Sequence, residues 1–372
     1  MNTTSFPVTG KTKTKVFING RFLNHAITGV QRSAYELVKA LDSLIDQGII
    51  SNNDFSFILI YPGIIVSPIS LKHIIVQKKG WLKGNLWEQL ELPLYTAGKL
   101  LVSLCSASPL LKRKQIVLIH DASCLVNPGF FSFGFRAWYN VMIPVLGKIS
   151  RQIVTVSEFS KSELTRYAGI RKQKIQVIYN SAEHILRFGD VSDKFREKIA
   201  ALKPYCLAVS NLGANKNFAG LNKAIGKIDA LDFHMLIAGG ALGGLKASAT
   251  DHSHVTYLGY MSDAEIKHLY ANASLFIFPS FYEGFGIPPL EAMIMGCPVI
   301  ASATSSMPEI LGDNCEYIDP ANPADMAEKI FTTMHDAAKR AQLKSKGYQR
   351  AALFNWEKSA ARLYELIRKC DD

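Results

Sequence analysis

Short apolar runs recur along this chain, continuous rather than alternating, with stretches of helical period between them. Continuous runs are what parallel strands require when both of their faces are covered. Lys15 to Phe22 (KVFINGRF) predicts a strand running into a loop, and Phe55 to Tyr61 a second, closed by Pro62-Gly63. Between them Val30, Ala34, Leu37, Val38, Leu41 and Ile45 share one helical face. Ile116 to Ile119, Ile153 to Val156 and Ile175 to Ile178 continue the series, and Ser160-x-x-Glu163 predicts a capping box at a helix start. A second series then follows, at Cys206 to Val209, His234 to Ala238, Val255 to Leu258, Leu275 to Phe278, Pro298 to Ala301 and Tyr317-Ile318. Helices are predicted over Pro323 to Met334, Ala337 to Phe354 and Trp356 to Lys369.

Two successive series of this kind predict an α/β protein of two doubly wound, Rossmann-like domains. The 372 residues suit that number at roughly 100–200 residues per domain. The expected domains are 1–185 and 186–355, joined near Asn180 to Val191, with the last helix (356–369) packing back on the first. In such sheets ligands bind beyond the carboxyl ends of the strands. That directs attention to Gly29, His120, Ser157, Asn211, Gly239 and Glu283.

Charge changes this picture more than composition does. Apolar residues are 48% and charged residues 20%, as in ordinary globular proteins. Residues 1–185 hold 22 Lys and Arg against 10 Asp and Glu, a net of +12, whereas residues 186–372 hold 20 against 21, a net of −1. A basic first half suits anionic headgroups, a polyanion or nucleic acid. Nucleic-acid binding would need aromatics interleaved with the basic residues, and here they cluster in apolar runs, so it is not expected. Met1 to Thr14 has no apolar region of a secretory signal, and its polar first dozen residues lack periodicity. Phe131 to Ile149, interrupted by Arg136, Asn140, Pro144 and Lys148, reads as a buried helix pair or an interfacial helix, not a membrane span. The six scattered cysteines, with no CxxC pair, predict buried thiols in a reducing compartment.

The most informative segment is Phe281 to Ala301. A strand runs into Phe281-Tyr282-Glu283-Gly284-Phe285-Gly286-Ile287, two prolines follow at positions suited to a first helical turn, and Gly296 ends a short helix (Leu290 to Met295). Glycines let the backbone approach a ligand. The amides of Phe285, Gly286 and Ile287, just before a helix N-terminus, form an anion site for a phosphate. Glu283 before the helix and Glu291 in its first turn place carboxylates on either side, suited to two polyol groups flanking a diphosphate.

With these residues the chain resembles the retaining glycosyltransferases of family 4, which have the GT-B fold. Their two glutamates have the spacing of Glu283 and Glu291, in the context FPSFYEGFGIPPLEAMIMGCPVIAS. The resemblance implies that Glu283 contacts the hydroxyls of the donor sugar and Glu291 the ribose hydroxyls of the nucleotide. It covers nearly the whole chain. NGRFLNHAITGVQRSAYELVKAL resembles the family's first strand, loop and helix, with Gly29 where the donor diphosphate or the acceptor approaches the backbone. VLIHDASCLVNPGFFSFGFRAWYN resembles a segment that carries a His-Asp pair, which implies that His120 hydrogen-bonds the donor. Asp121 is expected to cap the next turn, and Ser157 in IVTVSEFSKSEL to touch the site. AVSNLGANKNFAGL implies Lys216 as a diphosphate ligand. Asn211 and Asn215 stand where relatives often carry a second cation. Ser262-Asp263-Ala264-Glu265 matches the loop on the nucleobase side, and Ser305, Ser306 and Glu309 match a segment to which no role is given.

The implied reaction moves a glycosyl group from a nucleotide-diphosphate sugar to an acceptor hydroxyl, with retention. Negative charge grows on the departing diphosphate and must be stabilised. No Asp-x-Asp triplet is present, so metal independence and no cofactor are expected, the nucleotide sugar being a substrate. NGRF…TGVQR, LWEQLELP and IHD…VSEFS resemble bacterial transferases of surface-polysaccharide (lipopolysaccharide) synthesis, which favours GDP-mannose as donor and a saccharide or lipid-linked saccharide as acceptor. dTDP-rhamnose or a UDP-sugar is the alternative donor. A sugar-nucleotide epimerase, a phosphorylase and a non-catalytic partner subunit of the same fold stay open as alternatives. The basic first half suggests a cytoplasmic protein in peripheral contact with the anionic inner face of the cytoplasmic membrane.

Overall fold

The computed structural model describes residues 13–51, 53–211, 213–229, 231–240 and 254–371. The polar opening dozen lies outside the described residues. Two parallel sheets form the frame. The first contains β1 (Thr14–Asn19), β2 (Phe55–Tyr61), β3 (Ile75–Lys78), β4 (Leu100–Ser103), β5 (Gln115–Leu118), β6 (Gln152–Thr155) and β7 (Ile175–Val177), in the order β3-β2-β1-β4-β5-β6-β7. The second contains β8 (Tyr205–Val209), β9 (His234–Ala238), β10 (Val255–Gly259), β11 (Leu275–Phe278), β12 (Val299–Ser302) and β13 (Glu316–Ile318), in the order β10-β9-β8-β11-β12-β13. Both orders reverse direction beside their first strand, between β1 and β4 and between β8 and β11. This switch point is where doubly wound sheets open a crevice for ligands.

The continuous apolar runs explain the strands. Val16 pairs with Phe57 on one side and Leu100 on the other, and all three are buried. In the second sheet Cys206, Ala208, Met235, Ile237, Leu275, Ile277 and Ile300 join Leu221, Ile225, Met326 and Ile330 of the covering helices in one core. The two most exactly foreseen strands of this core, His234–Ala238 and Leu275–Phe278, have four buried residues each.

By its internal contacts the chain forms two compact units. One is made of residues 1–119, 142–154 and 357–372, the other of 120–141 and 155–356.

Several elements differ from expectation. β3 and β4 fall in stretches that carried no strand signal. The apolar run at β3, Ile74 to Val76, is only three residues long and all four strand residues are exposed, while β4 is a short part of the longer apolar stretch Leu100 to Leu111. Phe133–Ile149 is one helix with Pro144 inside it; only its second half, with Met142, Ile143, Leu146 and Gly147, is buried. Among the described residues no helix is long and apolar enough to cross a membrane. The capping box at Ser160 is absent: the helix is Glu158–Ala168, and its N-cap is Ser157, whose Oγ accepts the Ser160 amide at 3.0 Å. The chain turns into the helix immediately after β6, three residues earlier than the box pattern implied. The six thiols are unpaired and all but Cys105 are buried. Burial pushes the Cys124 thiol up to about 12.

Candidate active site

The loops beyond β8, β11 and β12 converge at the switch point of the second sheet. The β8 loop ends in a turn at Ala214–Lys216, after which Asn217 takes a left-handed backbone (φ 57°) and caps the Phe218–Ile225 helix. Buried Asn217 donates to the Pro279 and Pro320 carbonyls at 3.2 and 2.7 Å, and the Phe281 amide donates to the Asn215 carbonyl at 2.9 Å. These bonds tie the β8 loop to the β11 loop. Their result is an ion pair: Lys216 Nζ lies 2.6 Å from Glu283 Oε1, both largely buried. Asn211, standing near the place of a second cation in the resemblance, accepts the Gly213 amide at 3.0 Å instead.

The β12 loop holds Glu283 by its backbone. Ser305 Oγ accepts the Glu283 amide at 3.1 Å and Ser306 Oγ donates to the Glu283 carbonyl at 3.0 Å. Ser305 itself sits at φ 55°, a conformation uncommon outside glycine. The next residue, Gly284, is pressed from another side. A Cβ there would lie 2.6 Å from the His120 carbonyl oxygen and 2.9 Å from Asp121 Cβ. Its own carbonyl accepts Ser157 Oγ at 2.7 Å and Ser160 Oγ at 3.2 Å. Buried His120 thus borders the same turn as Glu283. Asp121 accepts the Ser123 amide at 2.8 Å, the turn-capping role expected of it.

Gly286 is the N-cap of the Ile287–Ile294 helix at φ 89°, and a Cβ there would meet Met307 Cε at 2.4 Å. Pro288 and Pro289 occupy its first turn and have no N–H. The amides of Phe285, Gly286 and Ile287 remain as donors, with no hydrogen-bond partner among the described residues. The Phe285 ring is not part of this edge: it packs against Tyr179 and Phe354 at 6.3 and 5.6 Å. The Tyr179 phenol is pushed up to about 12, by burial first and then by Glu309.

Because the helix begins at Ile287, Glu291 is its fifth residue, one turn deeper than expected. It faces other partners than Glu283. Its Oε1 lies 2.9 Å from His184 Nε2 and its Oε2 accepts the Tyr270 hydroxyl at 3.1 Å.

A family model described as glycosyl transferases group 1 matches residues 191–350. Over 256 residues the chain is 30% identical to O-antigen chain mannosyltransferase B of Escherichia coli, a match covering 66% of this chain and 67% of that protein. The chain belongs to the group 1 glycosyltransferases. It is also 28% identical over 246 residues to O-antigen chain mannosyltransferase RfbU of Salmonella typhimurium, covering 64% of this chain and 66% of that protein, just under two thirds of its length. Among solved structures, sucrose-phosphate synthase from Thermosynechococcus elongatus is 19% identical with a TM-score of 0.71, over 96% of this chain and 98% of that one. Anabaena HepE, in complex with UDP and glucose, is 18% identical with a TM-score of 0.69, over 96% and 99%. At such identities these two show the fold, GT-B, in agreement with the two parallel sheets.

In this glycosyltransferase Lys216, Glu283, Gly284, His120 and the three amides therefore gather around one turn, while Glu291 lies one helical turn further along. Gly29 belongs to the other compact unit. It opens the Gly29–Asp46 helix, and a Cβ there would meet nothing within 4 Å. The fold itself does not demand a glycine at that position. Sequence reasoning missed Ser160, His184 and Tyr270 as neighbours of the site. Ser160 was absorbed into a cap pattern, and His184 and Tyr270 reach Glu291 across 107 and 21 residues without a local signature. Glu309, matched without a role, accepts the Glu158 and Phe159 amides at 2.8 Å each and so neutralises the N-terminus of the Glu158–Ala168 helix.

Proposed function

We propose that this enzyme passes a hexosyl group, with mannosyl favoured, from a nucleotide-diphosphate sugar to a saccharide or lipid-linked saccharide acceptor in surface-polysaccharide synthesis, with retention and without a metal. The observation that carries this reading is the Lys216–Glu283 pair at the switch point, directly before three consecutive backbone donors. The bond from the anomeric carbon to the diphosphate oxygen breaks and a bond to the acceptor oxygen forms on the same face. The acceptor proton passes to the departing phosphate. The Lys216 ammonium and the amides of Phe285, Gly286 and Ile287 meet the charge that develops there. Glu283 and His120 hold the sugar hydroxyls, Glu291 the ribose, and Gly29 lets donor or acceptor approach the backbone. In this reading residues 1–185 serve the acceptor and 186–355 the donor.

The favoured donor is GDP-mannose, supported by the named activities of the E. coli and Salmonella relatives. A UDP-sugar is the second reading, supported by the UDP complex of the structurally similar HepE. Peripheral contact with the anionic cytoplasmic face of a membrane fits the net +12 of residues 1–185. It also fits the exposed Trp81, Leu86, Leu90 and Leu94, which share one stretch with exposed Lys78, Lys79 and Lys83. Co-sedimentation with anionic liposomes at low salt tests that contact, and a protein left in the supernatant refutes it.

A thermal-shift panel of GDP-, UDP-, dTDP- and ADP-sugars tests the donor, because a ligand that binds only the folded state raises the melting temperature. The strongest shift is expected with GDP-mannose. Turnover of a donor without any acceptor would favour an epimerase instead.

A further inference from the structure

Two side chains converge on Glu291, and a third backs one of them. His184 is fully buried, and its Nε2 lies 2.9 Å from Glu291 Oε1. Tyr270, also fully buried, donates its hydroxyl to Oε2 at 3.1 Å. The other ring nitrogen of His184 faces the indole of Trp356, whose Nε1 donates to Nδ1 at 3.4 Å. An indole N–H can only donate, so Nδ1 is an acceptor without a proton. The imidazole N–H then sits on Nε2, and His184 donates to Glu291. Burial first, and then the nearby Glu291 charge, hold the Tyr270 phenol well above its ordinary pKa, so it too remains a donor.

Glu291 is therefore gripped from behind through both oxygens. Each carboxylate oxygen accepts about two hydrogen bonds, which leaves one acceptor site on each. Helix stabilisation does not account for the carboxylate, because Glu291 is the fifth residue of its helix, beyond the first turn where the dipole favours a negative charge. Two acceptor sites side by side, held in a fixed orientation, match the two hydroxyls of a vicinal diol.

We infer that His184 and Tyr270 are positioning residues that fix Glu291 as a two-oxygen acceptor for a ribose diol, so that the enzyme selects ribonucleotide donors over their 2′-deoxy counterparts. The inference rests on the proposed contact between Glu291 and the nucleotide. It narrows the donor class to GDP-, UDP- or ADP-sugars and excludes dTDP-sugars. A ligand lacking the 2′-hydroxyl leaves one aimed acceptor unpaired, and sites built around a hydroxyl discriminate strongly against analogues without it.

Calorimetric titration of the full chain with GDP, 2′-deoxy-GDP, UDP and 2′-deoxy-UDP tests this. For the base that binds more tightly, the ribose form is expected to bind at least roughly tenfold better than the deoxy form. Tyr270→Phe and His184→Phe should shrink that ratio to below about threefold, through weaker binding of the ribose form while the deoxy form is unchanged. His184→Gln, which keeps an N–H donor, should retain most of the ratio. Tyr270→Phe removes a single oxygen and so remains informative even if a His184 variant fails to fold. Equal binding of ribose and deoxy forms by the unaltered enzyme, or binding of none of the four, overturns the inference. If Glu291→Gln abolishes the preference but Tyr270→Phe and His184→Phe leave it intact, the positioning role is wrong and the Glu291 contact stands. If Glu291→Gln changes neither affinity nor preference, the Glu291 contact itself is wrong.

Discussion

Over six strands the two sheets share one order, and beyond the same switch point each carries an acid–base pair that is finished differently. Past β1, Arg21 Nη1 lies 3.0 Å from Glu88 Oε2. Behind that pair, Asn19 donates to Glu88 at 2.7 Å and reaches Ser103 at 3.3 Å, Ser103 meets Ser108 at 2.8 Å, and Ser108 donates to Gln115 at 2.6 Å. Past β8 and β11, Lys216 and Glu283 form the pair, and the remaining bonds to Glu283 go to its backbone. Glu88 is 2% exposed and Glu283 13%. The first crest buries its carboxylate among its own side chains. The second fixes a carboxylate by its main chain and leaves the side chain answering to a single ammonium. A shared topology therefore supplies two equivalent places for chemistry, and the loops decide which becomes scaffold and which becomes site.

This contrast can be broken experimentally. The largest effect is expected from Glu283→Gln: transfer should fall roughly 100- to 1,000-fold, the scale of losing one preorganised transition-state contact, with the melting temperature nearly unchanged. Unimpaired transfer would remove Glu283 from the mechanism. Glu88→Ala should behave in the opposite way. Leaving Arg21 beside an emptied buried position should destabilise by about 3–5 kcal/mol, seen as a large drop in melting temperature, whereas the purified folded enzyme keeps its donor affinity.

Acidity sharpens the same contrast. Burial raises the Glu88 pKa above its ordinary value of 4.5, while Arg21 partly opposes the rise. The folded state thus binds this proton more readily than the unfolded chain. The Glu88 contribution favours folding at acid pH and is lost as pH climbs from the ordinary value through the raised one. Melting curves across that interval should show the unaltered protein losing ground to Glu88→Gln as pH rises; parallel curves would refute a raised pKa. Ser306→Ala should cost about 1 kcal/mol of stability, as a typical buried hydrogen bond does, and should lower transfer more than it lowers melting, because it frees the Glu283 carbonyl. Gly29→Ala is the smallest. With open space around it, stability should stay within about 0.5 kcal/mol, and a raised KM for the donor or acceptor is the expected change. No kinetic change at all would mark Gly29 as an ordinary turn residue.

Much of this was legible in the chain because local chemistry and fold agree there. Phe55 to Tyr61 is a strand over the residues its apolar run marks. Gly296, foreseen as the left-handed end of the glutamate helix, has φ 75°. Edge strand β3 gives only a weak signal, because its apolar run, Ile74 to Val76, is three residues long and gives way at once to Gln77 and Lys78. The cap expected at Ser160 lies three residues earlier, at Ser157, since a cap pattern defines spacing but not which serine follows the strand. Ser306 could be matched but not explained, because its bond to the Glu283 carbonyl spans 23 residues. His184 and Tyr270 had no periodic or motif signal; only three-dimensional packing brings them to Glu291.

The adjacent Pro288 and Pro289 have a consequence for turnover. The first residues of a helix ordinarily present several amides that find no partner within the helix. Proline deletes that donor where it stands. Here the deletions fall immediately after Phe285, Gly286 and Ile287, so the donors that survive form one compact row rather than a spread. A catalyst that releases its product in every cycle must repeatedly strip its anion site, and each buried donor left bare at that moment is unfavourable. By subtraction, the prolines keep that number small. In the proposed reading they lower the penalty of letting go without weakening the grip of the amides that remain, and the amides themselves, unlike a side-chain cation, keep their donors at every pH.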